Sequence, residues 1–447
     1  MKETVIRVKK IVSADSNDKI FSDHCVRITG NLIADIFPYK ESAIKDFKGE
    51  YIDASEKTLI PGFVQTHIHL CQTLFRGLAD DLQLLDWLQL HIFPYENAHD
   101  KNSLRASAQL GINELLLGGT TTLLDMGTLK HQEVIFDELI KSGIRAHAGK
   151  CMIDINDLFP EFKSTTHDEL TETHELANEF HNQRNGLVQY GFAPRFVLSC
   201  SEKLLRETKE MMKDFPGSIY HTHSSENMEE IKVVRQMHNK ENIEYFDSIG
   251  VLDDHTILAH CIHLNNREIQ LMKKSGSRIS HCPSSNLKLA SGIANIPAYL
   301  NENISVSLGA DGAPCNNQLS IFTEMRLASL IQKPFHGADV MNAKTIFRLA
   351  TIEGAKALHL EKQIGSIEKG KKADLLLLDL NKPYLSLGKE EASIYSNIVY
   401  SGDKSIIDSV MLDGEWKVRN QKSLVYSQED LTNYGKEELV KLLKRAG

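Results

Sequence analysis

From residue 58 to about residue 360, short apolar runs alternate with amphipathic stretches eight times over. The strand-like runs are 59–69, 120–125, 144–152, 188–193, 218–223, 256–260, 278–281 and 305–311. Helical patterns separate them, among them 103–117, 166–182, 203–213 and 266–274. A strand–helix unit repeated eight times predicts an α/β chain folded as a TIM-type (β/α)8 barrel. A doubly wound sheet is the alternative, but no Gly-x-Gly-x-x-Gly fingerprint supports its dinucleotide-binding form. Residues 1–57 and 361–420 read instead as short strands and turns, including the run Ala373-Asp374-Leu375-Leu376-Leu377-Leu378. Strands at both ends predict one small β-sandwich domain built from 1–57 and 361–420, with the catalytic barrel at 58–360 between them. Residues 421–447 place Leu431, Leu439, Leu442 and Leu443 among charges and predict a surface helical tail.

Working groups of such barrels sit at the C-terminal ends of the strands. Five of the eight predicted strands end in residues that can bind a metal or move a proton. The first ends in Thr66-His67-Ile68-His69, and strand residues two apart face the same side, so both imidazoles point together. The fifth ends in His221-Thr222-His223 with Glu226 just beyond. The others end in His260-Cys261, His281-Cys282 and Ala310-Asp311-Gly312. Three neutral imidazoles and one carboxylate suit a borderline divalent ion such as zinc. Such an ion lowers the pKa of bound water toward about 7. Glu226 is placed to move a proton, Asp311 to bind metal and accept a proton, and His260 to steady a developing oxyanion.

Composition narrows the partners. A net charge of −9 and a pI of about 6.1 disfavour nucleic acid and anionic membranes. No window reaches transmembrane length without charge, and residues 1–10 lack the apolar stretch of a signal peptide. Seven cysteines with no Cys-x-x-Cys pair argue against a disulfide framework. A cytoplasmic protein acting on a small molecule is the expectation.

Several longer stretches then carry a resemblance. They are Pro61-Gly62-x-x-x-Thr66-His67-x-His69, His221-x-His223-x-x-Glu226, Leu258-Ala259-His260-Cys261-Ile262-His263-Leu264, His281-Cys282-Pro283-Ser284-Ser285-Asn286-Leu287, Gly309-Ala310-Asp311-Gly312 and Gly365-Ser366-Ile367-x-x-Gly370-x-x-Ala373-Asp374. From Ile6 to Arg419 the chain resembles the amidohydrolase superfamily. The similar branch holds guanine deaminase, S-adenosylhomocysteine/methylthioadenosine deaminase, 5′-deoxyadenosine deaminase and the atrazine chlorohydrolase group. The resemblance implies one divalent metal, zinc or alternatively iron, on His67, His69, His223 and Asp311. It implies Glu226 as proton shuttle and His260 as an electrostatic partner. The activity implied is hydrolytic deamination of an amino-purine base or a 5′-modified purine nucleoside, with release of ammonia. A triazine chlorohydrolase or aminohydrolase is the alternative, followed by a pterin deaminase or a two-metal cyclic amidase. That last class carries a carboxylated lysine on the fourth strand. Here the fourth strand has none and Lys150 lies on the third, so one metal is expected. The similar families are commonly homodimers, which is the expectation here.

The substrate signals point two ways. Gln72 and Arg195-Phe196 are similar to guanine deaminases, where Gln and Arg bind the purine edge and Phe stacks on it. Arg195 would otherwise be a salt-bridge residue. Trp87 and Glu96 are similar to nucleoside-type members, where the Trp walls the pocket and the Glu binds ribose hydroxyls. Trp87 would otherwise be core, and Glu96 a carboxylate at a helix start after Pro94. Cys71, Cys261, Cys282 and Cys315 read as small buried residues.

Overall fold

The four-leucine run Leu375–Leu378 explains how two layers share one strand. Alternate residues of a strand face opposite sides, and here both sides are buried. Leu376 and Leu378 pack into the barrel core, while Leu375 and Leu377 pack into a smaller core with Ile6, Val8 and Leu59. The computed structural model describes residues 2–447 except 156, 158, 163, 387, 389 and 390 and the side chain of residue 392. The chain opens with β1 (Glu3–Val12), β2 (Ile20–Thr29), β3 (Leu32–Pro38) and β4 (Glu50–Pro61). It returns after the barrel with β15 (Leu375–Leu378), β16 (Ile407–Leu412), β17 (Glu415–Arg419) and β18 (Lys422–Ser423). These eight strands form one mixed sheet in the order β18-β17-β16-β15-β4-β1-β2-β3.

Between them run β5 (Phe63–His69), β6 (Thr120–Asp125), β7 (Arg145–Ala148), the short β8 (Cys151–Met152), β9 (Val188–Pro194), β10 (Ile219–Ser224), β11 (Thr256–His260), β12 (Arg278–His281), β13 (Val306–Leu308) and β14 (Asp311–Gly312). Successive strands pair in parallel in the order β5-β6-β7-β9-β10-β11-β12-β13, with β8 beside β9. The ring closes through a divided eighth strand. β13 pairs β12, His281 opposite Leu308, and β14 pairs β5, Asp311 opposite Ile68 and Gly312 opposite His69. This is the expected (β/α)8 barrel.

Three expected strands are divided. The run 59–69 breaks at Gly62: β4 ends at Pro61 in the outer sheet and β5 starts at Phe63 in the barrel. Gly62 N–H donates to Asp374 O at 2.9 Å, and a Cβ there would lie 2.1 Å from Thr121 Oγ1. The runs 144–152 and 305–311 divide likewise into β7 with β8 and β13 with β14.

The tail helix, Gln428–Ala446, does not merely lie on the surface. It docks on the helix Lys101–Leu117, burying Leu431, Gly435 and Leu442. A Cβ on Gly435 would come within 2.8 Å of Leu110, so glycine permits the close approach. Arg445 Nε donates to Ala98 O at 2.7 Å and Tyr434 OH to Asn102 O at 2.9 Å. All seven cysteines are free and buried. Among the described residues no helix is long and apolar enough to cross a membrane.

Candidate active site

Six of the expected residues meet at the C-terminal mouth of the barrel. His67 Nε2 and His69 Nε2 lie 3.1 and 3.3 Å from Asp311 Oδ1. His69 Nε2 is 3.2 Å from His223 Nε2. His67, His223, His260 and Asp311 each place a ligand atom within 4.8 Å of the others. The imidazoles have fixed orientations. His223 Nδ1 donates to Arg195 O at 2.7 Å, which leaves its Nε2 lone pair facing the cluster. His67 Nδ1 bonds His221 Nε2 at 2.9 Å, and the buried His67 Nε2 faces Asp311 without a well-aligned hydrogen bond. Burial holds His67, His69, His221 and His223 below the ordinary histidine range, so they stay neutral. Neutral nitrogen lone pairs crowded around a carboxylate need a positive centre. The donor set therefore fits a divalent cation. Ser285 Oγ donates to Asp311 Oδ2 at 2.6 Å and Gly312 N–H to Oδ1 at 2.8 Å, which aim the carboxylate. Ser225, His260 and Asp311 adopt positive φ, at 53°, 72° and 62°.

Glu226 and His260 flank the donors. Their Oε2 and Nε2 are 3.5 Å apart, and His260 Nε2 is 3.9 Å from Asp311 Oδ2. His260 Nδ1 pairs with Asn286 Oδ1 at 2.8 Å. Burial, with Asp311 and Glu230 nearby, pushes the Glu226 carboxyl well above the usual carboxylate range. Glu230 fixes the turn that carries it, accepting Glu226 N–H at 2.8 Å and Asn227 N–H at 3.3 Å while receiving Asn242 Nδ2.

A cavity opens over these groups, lined by His69, Gln72, Trp87, Arg195, Phe196, His223, Glu226, His260 and Asp311 with Leu84, Leu88 and Leu289. Four of the five expected substrate residues line it. The fifth, Glu96, is buried behind the wall: its Oε2 accepts Arg195 Nη1 at 2.7 Å, and its Oε1 accepts Gln72 Nε2 at 2.8 Å and Arg195 Nη2 at 3.3 Å. Burial works against the Arg195 charge, but Glu96 outweighs it and raises the guanidinium pKa. His281 ends β12 without lining the cavity, and both its ring nitrogens lack partners. Burial pushes its pKa down to about 3. Lys150 pairs with Glu169 at 2.8 Å and Glu172 at 3.4 Å, a structural ion pair. Ser285, Asn286, Glu230 and the support of His67 by His221 were not assigned from sequence. The first two sit in the quoted His281–Leu287 motif and His221 in the His221–His223 pair, but their partners are far away in the chain.

A closed barrel with metal-fitting donors and a buried acid at one mouth defines a metal-dependent hydrolase. Residues 58–417 match the amidohydrolase family, and the chain belongs to it. It is 38% identical over 384 residues to a 5′-deoxyadenosine deaminase of Methanosphaera stadtmanae, covering 85% of this chain and 86% of that one. A zinc-bound adenosine deaminase of Xanthomonas campestris superposes with a TM-score of 0.92 at 26% identity, covering 99% of both chains. Guanine deaminase of E. coli superposes with a TM-score of 0.83 at 25% identity, covering 94% of this chain and 100% of that one.

Proposed function

We propose that this chain is a single-metal hydrolytic deaminase of an aminated purine-type heterocycle, releasing ammonia. One observation carries the reading: a buried Glu226, its pKa raised by burial, stands beside His260 and the His/Asp donors at a cavity walled by Trp87 and Phe196. His67, His69, His223 and Asp311 are the proposed ligands, with zinc the ion their chemistry favours and iron the alternative. When bound, the cation supplies Lewis acidity that makes water nucleophilic near neutral pH. The chain's own residues do the rest. Phe196 and Trp87 hold the ring flat between them. Glu226 delivers its proton to the ring nitrogen beside the amino-bearing carbon, which turns that carbon electrophilic. His260, fixed by Asn286, steadies the oxygen that adds there. Asp311 takes the proton released by the attacking water. Asp311 passes that proton to the departing amine, and Glu226 recovers its own from the new hydroxyl as that oxygen becomes the product carbonyl.

The test is ammonia release by metal-reconstituted protein from guanine, 5′-deoxyadenosine, methylthioadenosine and pterins. Glu226→Gln should keep about one metal per chain yet lose roughly 10²- to 10⁴-fold in kcat. Wild-type rates in that variant would remove the proton-shuttle role, and turnover of a chlorinated triazine alone would move the chain to the dehalogenating class.

A further inference from the structure

Glu324, on the helix Ile321–Leu330, is fully buried, and the hydrogen-bond partners that hold it are neutral. A carboxyl group held by neutral donors is costly to keep inside a protein. It does not line the cavity over the site. Its two oxygens grip two turns instead. Oε2 accepts Ser284 N–H at 3.1 Å, and Oε1 accepts both Ser284 Oγ and, at 2.9 Å, Asn316 Nδ2. Each gripped residue has neighbours that reach the site. Ser284 lies at the start of the helix Pro283–Lys288, and the next two residues hold site groups: Ser285 Oγ donates to Asp311 Oδ2 at 2.6 Å, and Asn286 Oδ1 pairs with His260 Nδ1 at 2.8 Å. Asn316 Nδ2 also donates to Ala310 O at 2.7 Å, one residue before Asp311. One carboxylate thus spans the segments that follow β12 and β14.

We propose, resting on the metal and deaminase reading above, that Glu324 is a positioning residue: it registers the Ser284–Asn286 turn against Asp311, and so aims the metal ligand and His260 together. The bracket needs an acceptor at both ends. A carboxylate accepts through both oxygens, whereas an amide has one acceptor and turns an NH2 toward the remaining donor. Glu324→Gln therefore keeps the shape and releases one grip. If Glu324 served packing alone, that change would lower stability and leave the site untouched. Burial lifts the Glu324 pKa to about 7, so the measurements belong at about pH 8.5, where the carboxylate is the main form.

The experiment compares wild type with Glu324→Gln, Asn316→Ala, Ser285→Ala and the double variant Ser285→Ala/Glu324→Gln. Zinc affinity is measured by chelator competition, and kcat and KM by ammonia release from whichever of guanine, 5′-deoxyadenosine, methylthioadenosine and pterin turns over. Glu324→Gln should bind zinc about tenfold more weakly, the low end for groups that aim a ligand. Loaded with zinc, it should lose about tenfold in kcat while KM moves by less than about twofold. The double variant should stay within about twofold of Ser285→Ala alone in zinc affinity, because both changes act through one contact. Asn316→Ala, at a half-buried position, cuts the arm to Ala310 alone and should weaken zinc about threefold with kcat of the loaded enzyme nearly kept. Wild-type zinc affinity and kcat in folded Glu324→Gln, or losses that multiply in the double variant, would overturn the proposal. If Glu324→Gln does not fold, Asn316→Ala decides, and unchanged zinc affinity there overturns it equally. If no compound releases ammonia, the deaminase reading fails, while the zinc affinities still decide the bracket.

Discussion

Asp311 owes its aim to Ser285, whose Oγ donates to Oδ2 at 2.6 Å. Partners of ligating carboxylates typically contribute 10- to 100-fold in metal affinity. Ser285→Ala should therefore weaken metal binding by about that factor, measured by competition with a chromophoric chelator. Asp125 works similarly on the backbone, accepting Leu70 N–H at 2.8 Å just after His69. Burial raises its pKa to about 7, against about 3.9 in an unfolded chain. The native state thus keeps a proton that the unfolded state has released. That stability is complete in acid and is lost as pH rises through about 7, by at most about 1.4 kcal/mol per pH unit. Asp125→Asn should flatten this slope, seen as a smaller fall in urea midpoint between about pH 5 and about pH 8. At this scale the sequence showed what periodicity and motif can show. His67 and His69 share a strand face, and Glu226 follows His223 at a fixed spacing. Ser285 on Asp311, Glu230 under Glu226 and Glu96 against Arg195 were not legible, because each pairing exists only once the ring has brought distant or turned segments together.

Among the elements, the tail helix carries more than its charged face suggested. Leu442 belongs to the apolar cluster that contains Trp87 and Phe196, two walls of the cavity. Its arginine anchor reaches Ala98 O and Ser103 Oγ, beyond the segment that bears Trp87 and Glu96. Leu442→Ala should cost about 2–5 kcal/mol, read from urea unfolding, and should raise KM more than it lowers kcat. The apolar spacing of this helix was visible in sequence, but its docking partner was not. The divided strands have a similar cause. An apolar run reads as continuous, whereas the turn at Gly62 is imposed by Asp374 and Thr121, residues remote in the chain.

For the whole molecule, eightfold alternation was the strongest signal, and the barrel followed from it. What alternation does not reveal is how barrel and outer sheet lock together. Arg145 on β7 donates through Nε to Asp374 Oδ2 at 3.0 Å and through Nη2 to Asp374 Oδ1 at 3.3 Å. Asp374 in turn accepts Asp413 N–H at 2.7 Å. Arg145→Ala strands a buried carboxylate and should cost about 3–5 kcal/mol, with both layers unfolding at lower denaturant. The divided eighth strand has a different consequence. The strand pairing that closes the last gap in the hoop is short, Asp311 and Gly312 against Ile68 and His69. A cation held jointly by His67, His69 and Asp311 would straddle that gap like a clasp. Metal at about 100 times its Kd would then add about 2.7 kcal/mol of stability. Stripping it with a chelator should lower Tm and expose the amides of β14 and the end of β5 to hydrogen exchange before those of β9 and β10. Losing the ion would slacken the hoop at the spot where the chemistry happens.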